Sequence, residues 1–284
     1  MNVAIVTALN LFPVKSCRGI ALDAARLGHA GLEADGVGDR EWMVVDAATG
    51  VFLTQRQAPR MALIAPQIVA GRLTLCAPDM PKLALADAGF PAGAPELEVT
   101  VWNHPCRAFD AGEPAAQWLS SFLGRALRLA RFDPAHRRVS NRQWTGAFEA
   151  LNRFSDGYPI LMISEASLAD LNERLTSAGR EALPMDRFRP NLVITGVSPY
   201  DEDHFESLHC EDVRLKPVKP CPRCPIPSID QATGLIGDDP LDILARYRDD
   251  PRSGGVVFGQ NVIVLAGIGA TLRVGQVLQE EWNF

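Results

Sequence analysis

The chain has 284 residues, 47% hydrophobic and 22% charged, with 28 Lys and Arg against 34 Asp and Glu for a formal charge of −6. This is the composition of a globular protein with an ordinary core. It excludes the basic footprint of a nucleic-acid binder, and no apolar run approaches the roughly 20 residues that a membrane-spanning helix needs.

The opening stretch, MNVAIVTALNLFPVK, lacks a basic leader region and a small-residue cleavage site. It reads as a strand, so a cytoplasmic location without membrane association is expected. Short strand-like runs follow at 42–46, 51–54, 62–69, 72–77, 82–86 and 97–102, separated by turn signals such as DAATG and APDMP. Their spacing predicts a sandwich or barrel. EPAAQWLSSFLG (113–124) predicts a short helix stopped by Gly124, and 126–132 a strand. The polar stretch 133–157 has little apolar periodicity and reads as a mobile loop.

After a buried strand at 158–163, SEASLADLNERLTSAG (164–179) is the clearest helix, capped by Ser164 with Leu168, Leu171 and Leu175 on one face. Strands are expected at 191–196, 213–218, 256–267 and 270–279, and a helix at 239–250 with Asp239 as cap. The expected boundary lies near residue 130. It divides a β-rich first half (1–130) from a mixed α/β second half (131–284).

Six cysteines are present, and a reducing compartment leaves them unpaired. Two stand three apart in KPVKPCPRCPIPSID (216–230). A zinc site would need further ligands, for which His209 and Cys210 are the nearest candidates. A redox dithiol belongs at a helix start, and the prolines at 220, 222, 225 and 227 oppose one there. A single thiolate on a stiff loop, its pKa lowered by Lys219 and Arg223, would suit a soft transition metal. Burial as small apolar residues is the remaining alternative.

Cationic residues recur at strand ends: Lys15 and Arg18 in PVKSCRGI, Arg40 in GDRE, Arg56 in TQRQ and Arg189 in FRPN. With Ser16 they form a set that could hold a phosphate if the chain brought them together. Asp156 and Gly157 occupy a turn before a buried strand, and Gln260 and Asn261 lie inside an apolar one. Trp102 and Trp144 are read as packing residues. No Gly-rich phosphate loop, nucleophile elbow or HExxH helix is present.

Together these motifs resemble the MOSC family, proteins similar to the C-terminal domain of molybdenum cofactor sulfurase. FPVKSCRGI and DREWMVVD look like the β-barrel domain that precedes a MOSC domain; FRPNLVITG, KPCPRCPIPSIDQATG and FGQN look like the MOSC domain itself. Within the family the likeness is to the amidoxime-reducing branch and its bacterial counterparts. The resemblance implies a mixed α/β, β-rich fold: an N-terminal barrel packed on a barrel-like MOSC domain with short helices. It also implies a molybdopterin-type molybdenum cofactor at their junction.

By the same resemblance Cys224 is the metal ligand, with Cys221, Pro222 and Arg223 as the wall beside it. Lys15, Ser16 and Arg40 hold the phosphate-bearing end, Arg189 and Asn191 lie near the cofactor, and Asp156 and Gly157 line the site. Asn261 stands where mitochondrial members carry an aromatic residue. The implied reaction is two-electron reduction of an N–O bond in amidoximes, hydroxylamines or N-hydroxylated bases, with Asp156 as a candidate for proton handling. Electrons would come from a separate ferredoxin-type or flavin- or cytochrome-type protein. The alternative is a cofactor carrier or sulfur-relay protein without reductase activity. Detoxification and a pyridoxal phosphate association are looser expectations of the same resemblance.

Overall fold

The computed structural model describes residues 3–85 and 94–283. Its centre is a closed seven-stranded barrel. Around the ring run Ile160–Ser164, Leu192–Thr195, Ala4–Leu11, Val277–Trp282, Phe205–Cys210, Val213–Pro222 and Gly255–Ala266, which pairs back to Ile160–Ser164. The first strand of the chain is therefore a stave of a barrel otherwise built from residues beyond 159. Ala4 and Val6, then Leu9 and Leu11 beyond a register shift between Val6 and Ala8, are fully buried in its core with Leu192, Ile194, Leu215 and Val262.

One pair in the ring, Ile160–Ser164 with Leu192–Thr195, is parallel. A parallel pair needs a crossover, and the helix Glu165–Ser177 supplies it. Ser164 caps that helix by accepting from the Ser167 amide at 3.0 Å, and Leu171 and Leu175 are buried against Phe188 and Phe258.

The first half forms smaller sheets. Trp42–Asp46 pairs with Leu127–Phe132, which leads through His104–Asp110 to Glu96–Val101. Trp42 and Val44 enter one core beside Trp118 and Leu119; Met43 and Val45 enter another with Phe132 and Phe154. A strand buried on both faces reads as a continuous apolar run, which is what WMVV is. Gly124 ends the helix Glu113–Leu123 in the left-handed conformation, as expected. Ala24–Gly28 pairs with Thr271–Arg273, so the two halves of the chain also share a second small sheet.

Several elements depart from expectation. At 51–54 only isolated bridges form, because Thr54 turns the chain through bonds with Gln57. The run 62–69 is divided between a 3-10 turn, Pro59–Leu63, and a strand, Ala65–Val69. In the expected strand 82–86, Leu83–Ala84 pairs, and residue 86 lies outside the described residues. The helix expected at 239–250 is regular only over Leu241–Leu244, since Asp249–Asp250 leaves it to pair with Gly255–Val256. The run 270–279 is two strands, Thr271–Arg273 and Val277–Trp282, separated by a turn that Gln276 closes onto the Arg273 amide.

The stretch 133–157 is not a loose loop. It carries a two-strand ladder and a short helix, Arg142–Thr145. Its anchor is buried Arg138, which donates to the carbonyls of Arg153 at 2.8 Å and Ser155 at 2.6 Å. Among the described residues no helix is long and apolar enough to cross a membrane.

Candidate active site

The cysteine segment is strand, not loop, as far as Pro222. In the strand Val213–Pro222, Val213–Leu215 pair with Phe205–Cys210 on one side, and Arg214 to Pro222 pair with Gly255–Ala266 on the other. Beyond Leu215 the first partner has ended, so Pro217, Pro220 and Pro222 lie where one edge needs no donor, and the register shifts between them. The strand thereby carries Cys221 to the rim of the barrel, and Cys224 follows in the turn.

Opposite that rim the chain places the strand-end cations. Ser16, Arg40 and Arg189 adopt left-handed backbone conformations, with φ of 64°, 45° and 58°. Such strain in non-glycine residues persists where surrounding contacts over-determine it, and it gathers at functional sites. Here it turns three segments at strand ends toward one cavity of about 130 Å³. Lys15, Ser16, Arg40, Asp156, Gly157, Arg189 and Asn191 line it. Cys221, Pro222, Arg223, Cys224 and Asn261 complete the same wall. All the residues that the family resemblance assigns to the site therefore line one cavity; of the other strand-end cations Arg56 joins them and Arg18 does not.

Buried contacts fix the cations. Arg40 donates to Asp39 at 2.6 Å and to Asn191 at 2.9 Å. Asn191, 1% exposed, uses its amide fully: it donates to Asn10 O and Asp39 Oδ1 and accepts from Arg40 and the Leu161 amide. It is a positioning residue. Arg189 donates to Cys17 O at 2.6 Å and to Gln231 Oε1 at 3.3 Å, and Gln231 is locked in a reciprocal amide pair with Gln55. Burial, then repulsion from Arg40, pulls the Arg189 pKa down to about 10. The Phe12 ring lies 4.4 Å from both the Arg40 and the Arg189 guanidinium carbons.

Lys15 is buried and donates to Phe154 O at 2.8 Å and Asp156 Oδ1 at 2.7 Å. Burial lowers its pKa, with Asp156 acting in the opposite direction. Asp156 is open to the cavity, its side chain 76% exposed. Desolvation in the wall opposes its ionisation, but Lys15 and a 2.9 Å bond from the Trp102 indole prevail and hold its carboxyl well below the usual range. A carboxylate so held stays ionised at neutral pH, which favours charge pairing over proton exchange.

Cys221 differs from the sequence reading. Burial raises the Cys221 pKa, and the Arg223 guanidinium, 3.4 Å from its sulfur, only partly offsets this. Lys219 does not line the cavity; its ammonium lies 5.1 Å from the Trp144 ring. His209 pairs with Arg214, seven residues up the strand from Cys221 and thus roughly 20 Å away. Among the described residues no group of three or more His, Cys, Asp or Glu converges as metal ligands. That removes the basis for the zinc alternative.

In the FGQN strand the side chains alternate. Gln260 is buried and donates to Asp203 at 2.6 Å, while Asn261 lines the cavity. Sequence reasoning missed Trp102, which is 43% exposed and lines the site. It also missed Phe188 and the pair Gln55 and Gln231. The signal available for Trp102 was its place in a two-residue hairpin loop, where a buried core residue is not expected. A larger cavity, about 770 Å³, opens beyond Arg189 and contains Arg18, which bonds Gln231 O. It has no cysteine in its wall.

The cavity combines five cationic side chains, one carboxylate and two thiols at the rim of a closed barrel. That defines a β-barrel protein built to hold an anionic group together with a thiophilic centre. Residues 3–126 match the MOSC N-terminal beta barrel domain and residues 150–279 the MOSC domain. The chain belongs to the MOSC family. It is 37% identical to mitochondrial amidoxime-reducing component 1 of Mus musculus, over 96% of this chain and 81% of that protein. With the Homo sapiens component 1 it shares 35% identity over 96% and 82%, and with the Bos taurus component 2 34% over 87% and 73%.

The cofactor of this family is the molybdenum cofactor. The wall fits it. The Arg223 Nε is buried without a partner among the described residues, and Ser16 lines the cavity. A Cβ added at Gly157 would meet nothing within 4 Å. Cations suit its phosphate, and soft thiols suit its metal.

Proposed function

We propose that the protein is a molybdenum-cofactor-dependent reductase of N-hydroxylated compounds, acting on amidoximes, hydroxylamines and N-hydroxylated bases. The supporting observation is the single cavity in which Cys221 and Cys224 face Lys15, Arg40, Arg56, Arg189 and Arg223. In the overall change an N–O bond breaks, two electrons and two protons enter, and an amidine or amine leaves with one water. The bound cofactor supplies the two-electron oxygen acceptance.

The chain's own residues hold and orient. Cys224 would ligate the metal, and Lys15, Ser16 and Arg40 would bind the phosphate-bearing end. Asn191 fixes the Arg40 fork, and Gln231 with the Cys17 carbonyl fixes Arg189. Arg223 bridges the Cys221 sulfur to the Phe188 carbonyl, which holds the rim of the site in shape. Electrons come from a separate ferredoxin-type or flavin- or cytochrome-type protein.

The test is metal content and turnover together. Loaded protein should contain about one molybdenum per chain and convert an aryl amidoxime to its amidine with reduced viologen as donor. Cys224→Ser should remove the activity. Full molybdenum with no turnover of any N-hydroxylated compound would refute the reductase reading in favour of a carrier; zinc alone would refute both.

A further inference from the structure

Trp102 is the least expected member of the site. The strands Glu96–Val101 and His104–Asp110 are joined by Trp102 and Asn103, with Val101 paired to His104. A positive φ at the first position of such a loop favours glycine, yet Trp102 takes φ 55° there. For a bulky aromatic residue this is a true outlier. The strained hairpin belongs to the first half of the chain and reaches across to Asp156 in the second. The indole donates to Asp156 Oδ1 at 2.9 Å, and the Arg56 guanidinium packs 4.6 Å from the ring.

Lys15 and Trp102 both bond the same oxygen of Asp156, Oδ1. Oδ2 has no protein partner among the described residues, and the side chain is 76% exposed. Asp156 is also the one carboxylate among the described residues lining a cavity whose other charges are five cations. An anionic cofactor engages those cations. What remains for a second ligand is the exposed part of the indole, left by Phe52 and Arg56, beside one free carboxylate oxygen.

We infer that Trp102 and Asp156 form the substrate-selecting edge of the site, favouring planar, delocalised N–H donors of the amidine type over small aliphatic hydroxylamines. The inference rests on the reductase reading and deepens it. A flat conjugated system stacks on the indole, and its amino group donates to Oδ2. An amidoxime is neutral at pH 7, whereas its amidine product is protonated, so the carboxylate binds product more tightly than substrate. The edge therefore also predicts competitive inhibition by amidinium ions.

The test uses cofactor-loaded protein. Trp102→Ala should raise KM for an aryl amidoxime about tenfold, leave KM for hydroxylamine unchanged and keep the molybdenum content of the wild type. Trp102→Phe keeps a ring without the N–H and should fall between them. Benzamidinium titration, followed by intrinsic fluorescence, gives a readout independent of turnover. Its affinity should drop about tenfold in Trp102→Ala and in Asp156→Asn.

Equal loss toward both substrates, loss of molybdenum in Trp102→Phe, or unchanged benzamidinium binding in both variants would overturn the inference. If the wild type reduces no N-hydroxylated compound but binds benzamidinium through these two residues, the reductase reading fails and the planar-cation edge stands.

Discussion

Asn191→Ala tests whether one buried amide holds the cation cluster in place. The side chain makes four hydrogen bonds: to Asn10 O at 3.0 Å, to Asp39 Oδ1 at 2.9 Å, from Arg40 at 2.9 Å and from the Leu161 amide at 3.2 Å. Alanine leaves Asp39 its bond from the Phe12 amide and Arg40 its bond to Asp39. It strips the side-chain partner from the Leu161 N–H and the Asn10 carbonyl. Each buried group left unsatisfied costs about 1–3 kcal/mol, and a water entering the vacated space recovers part of that. The expected loss is about 3 kcal/mol, and Tm should fall by roughly 5 °C for a chain of this size.

The assay is urea and thermal unfolding of Asn191→Ala, Arg40→Met and the double variant. Because the two side chains share one network, the single effects should fail to add by about 1 kcal/mol. Molybdenum retention should fall in both single variants. A loss under about 0.5 kcal/mol for Asn191→Ala, or strict additivity, would refute the positioning role.

Other outcomes follow from the same geometry. Gly259→Ala should destabilise by about 3 kcal/mol, because at φ 78° a Cβ would lie 2.6 Å from Ile163 Cγ1 and 2.8 Å from the Met162 carbonyl; equal Tm values would contradict this. Gly157→Ala should leave Tm unchanged and lower molybdenum content, since its methyl enters open space. In native apo-protein a thiol reagent at pH 8 should modify Cys221 and Cys224 but spare Cys17, whose pKa burial pushes up to about 12; mass spectrometry of the labelled peptides decides. A thiol pKa raised on folding stabilises below the unfolded value, so the Cys17 contribution is lost as pH rises above about 9. Asp156 has the opposite sign. Its carboxyl is depressed, so any stability it confers is present above the unfolded pKa of about 3.9 and fades as pH falls through the acid range. The Tm difference between wild type and Asp156→Asn should shrink on acidification.

Much of the site was legible because its residues sit where local sequence is most informative. Lys15, Arg40 and Arg189 lie beside turn signals at strand ends, and the cysteine motif is compositionally unlike the rest of the chain. The helix Glu165–Ser177 was legible from its Ser164 cap and leucine spacing. The strands Ile20–Leu22 and Ala24–Gly28 were not, because ALDAARLG has no strict alternation; the first pairs back to Leu9–Leu11, and the second joins a short hairpin to the distant Thr271–Arg273. The prolines at 220, 222, 225 and 227 suggested that a loop follows the strand expected at 213–218, since nothing local shows that one edge of the strand has no neighbour as far as Pro222. Trp102 was read as packing because aromatic residues usually are; its role comes from a hairpin that crosses to Asp156, 54 positions away.

The sequence by itself determined the β-rich class, which follows from local turn chemistry, and through the order of its motifs the family, whose resemblance said which residues to expect at the site. Only the tertiary structure decided that the first strand closes the barrel, that Lys219 turns away to Trp144, and that Trp102 joins the site. Each of these depends on pairings between segments far apart in the chain, and neither propensity nor spacing encodes which distant partner a strand end or a side chain will meet.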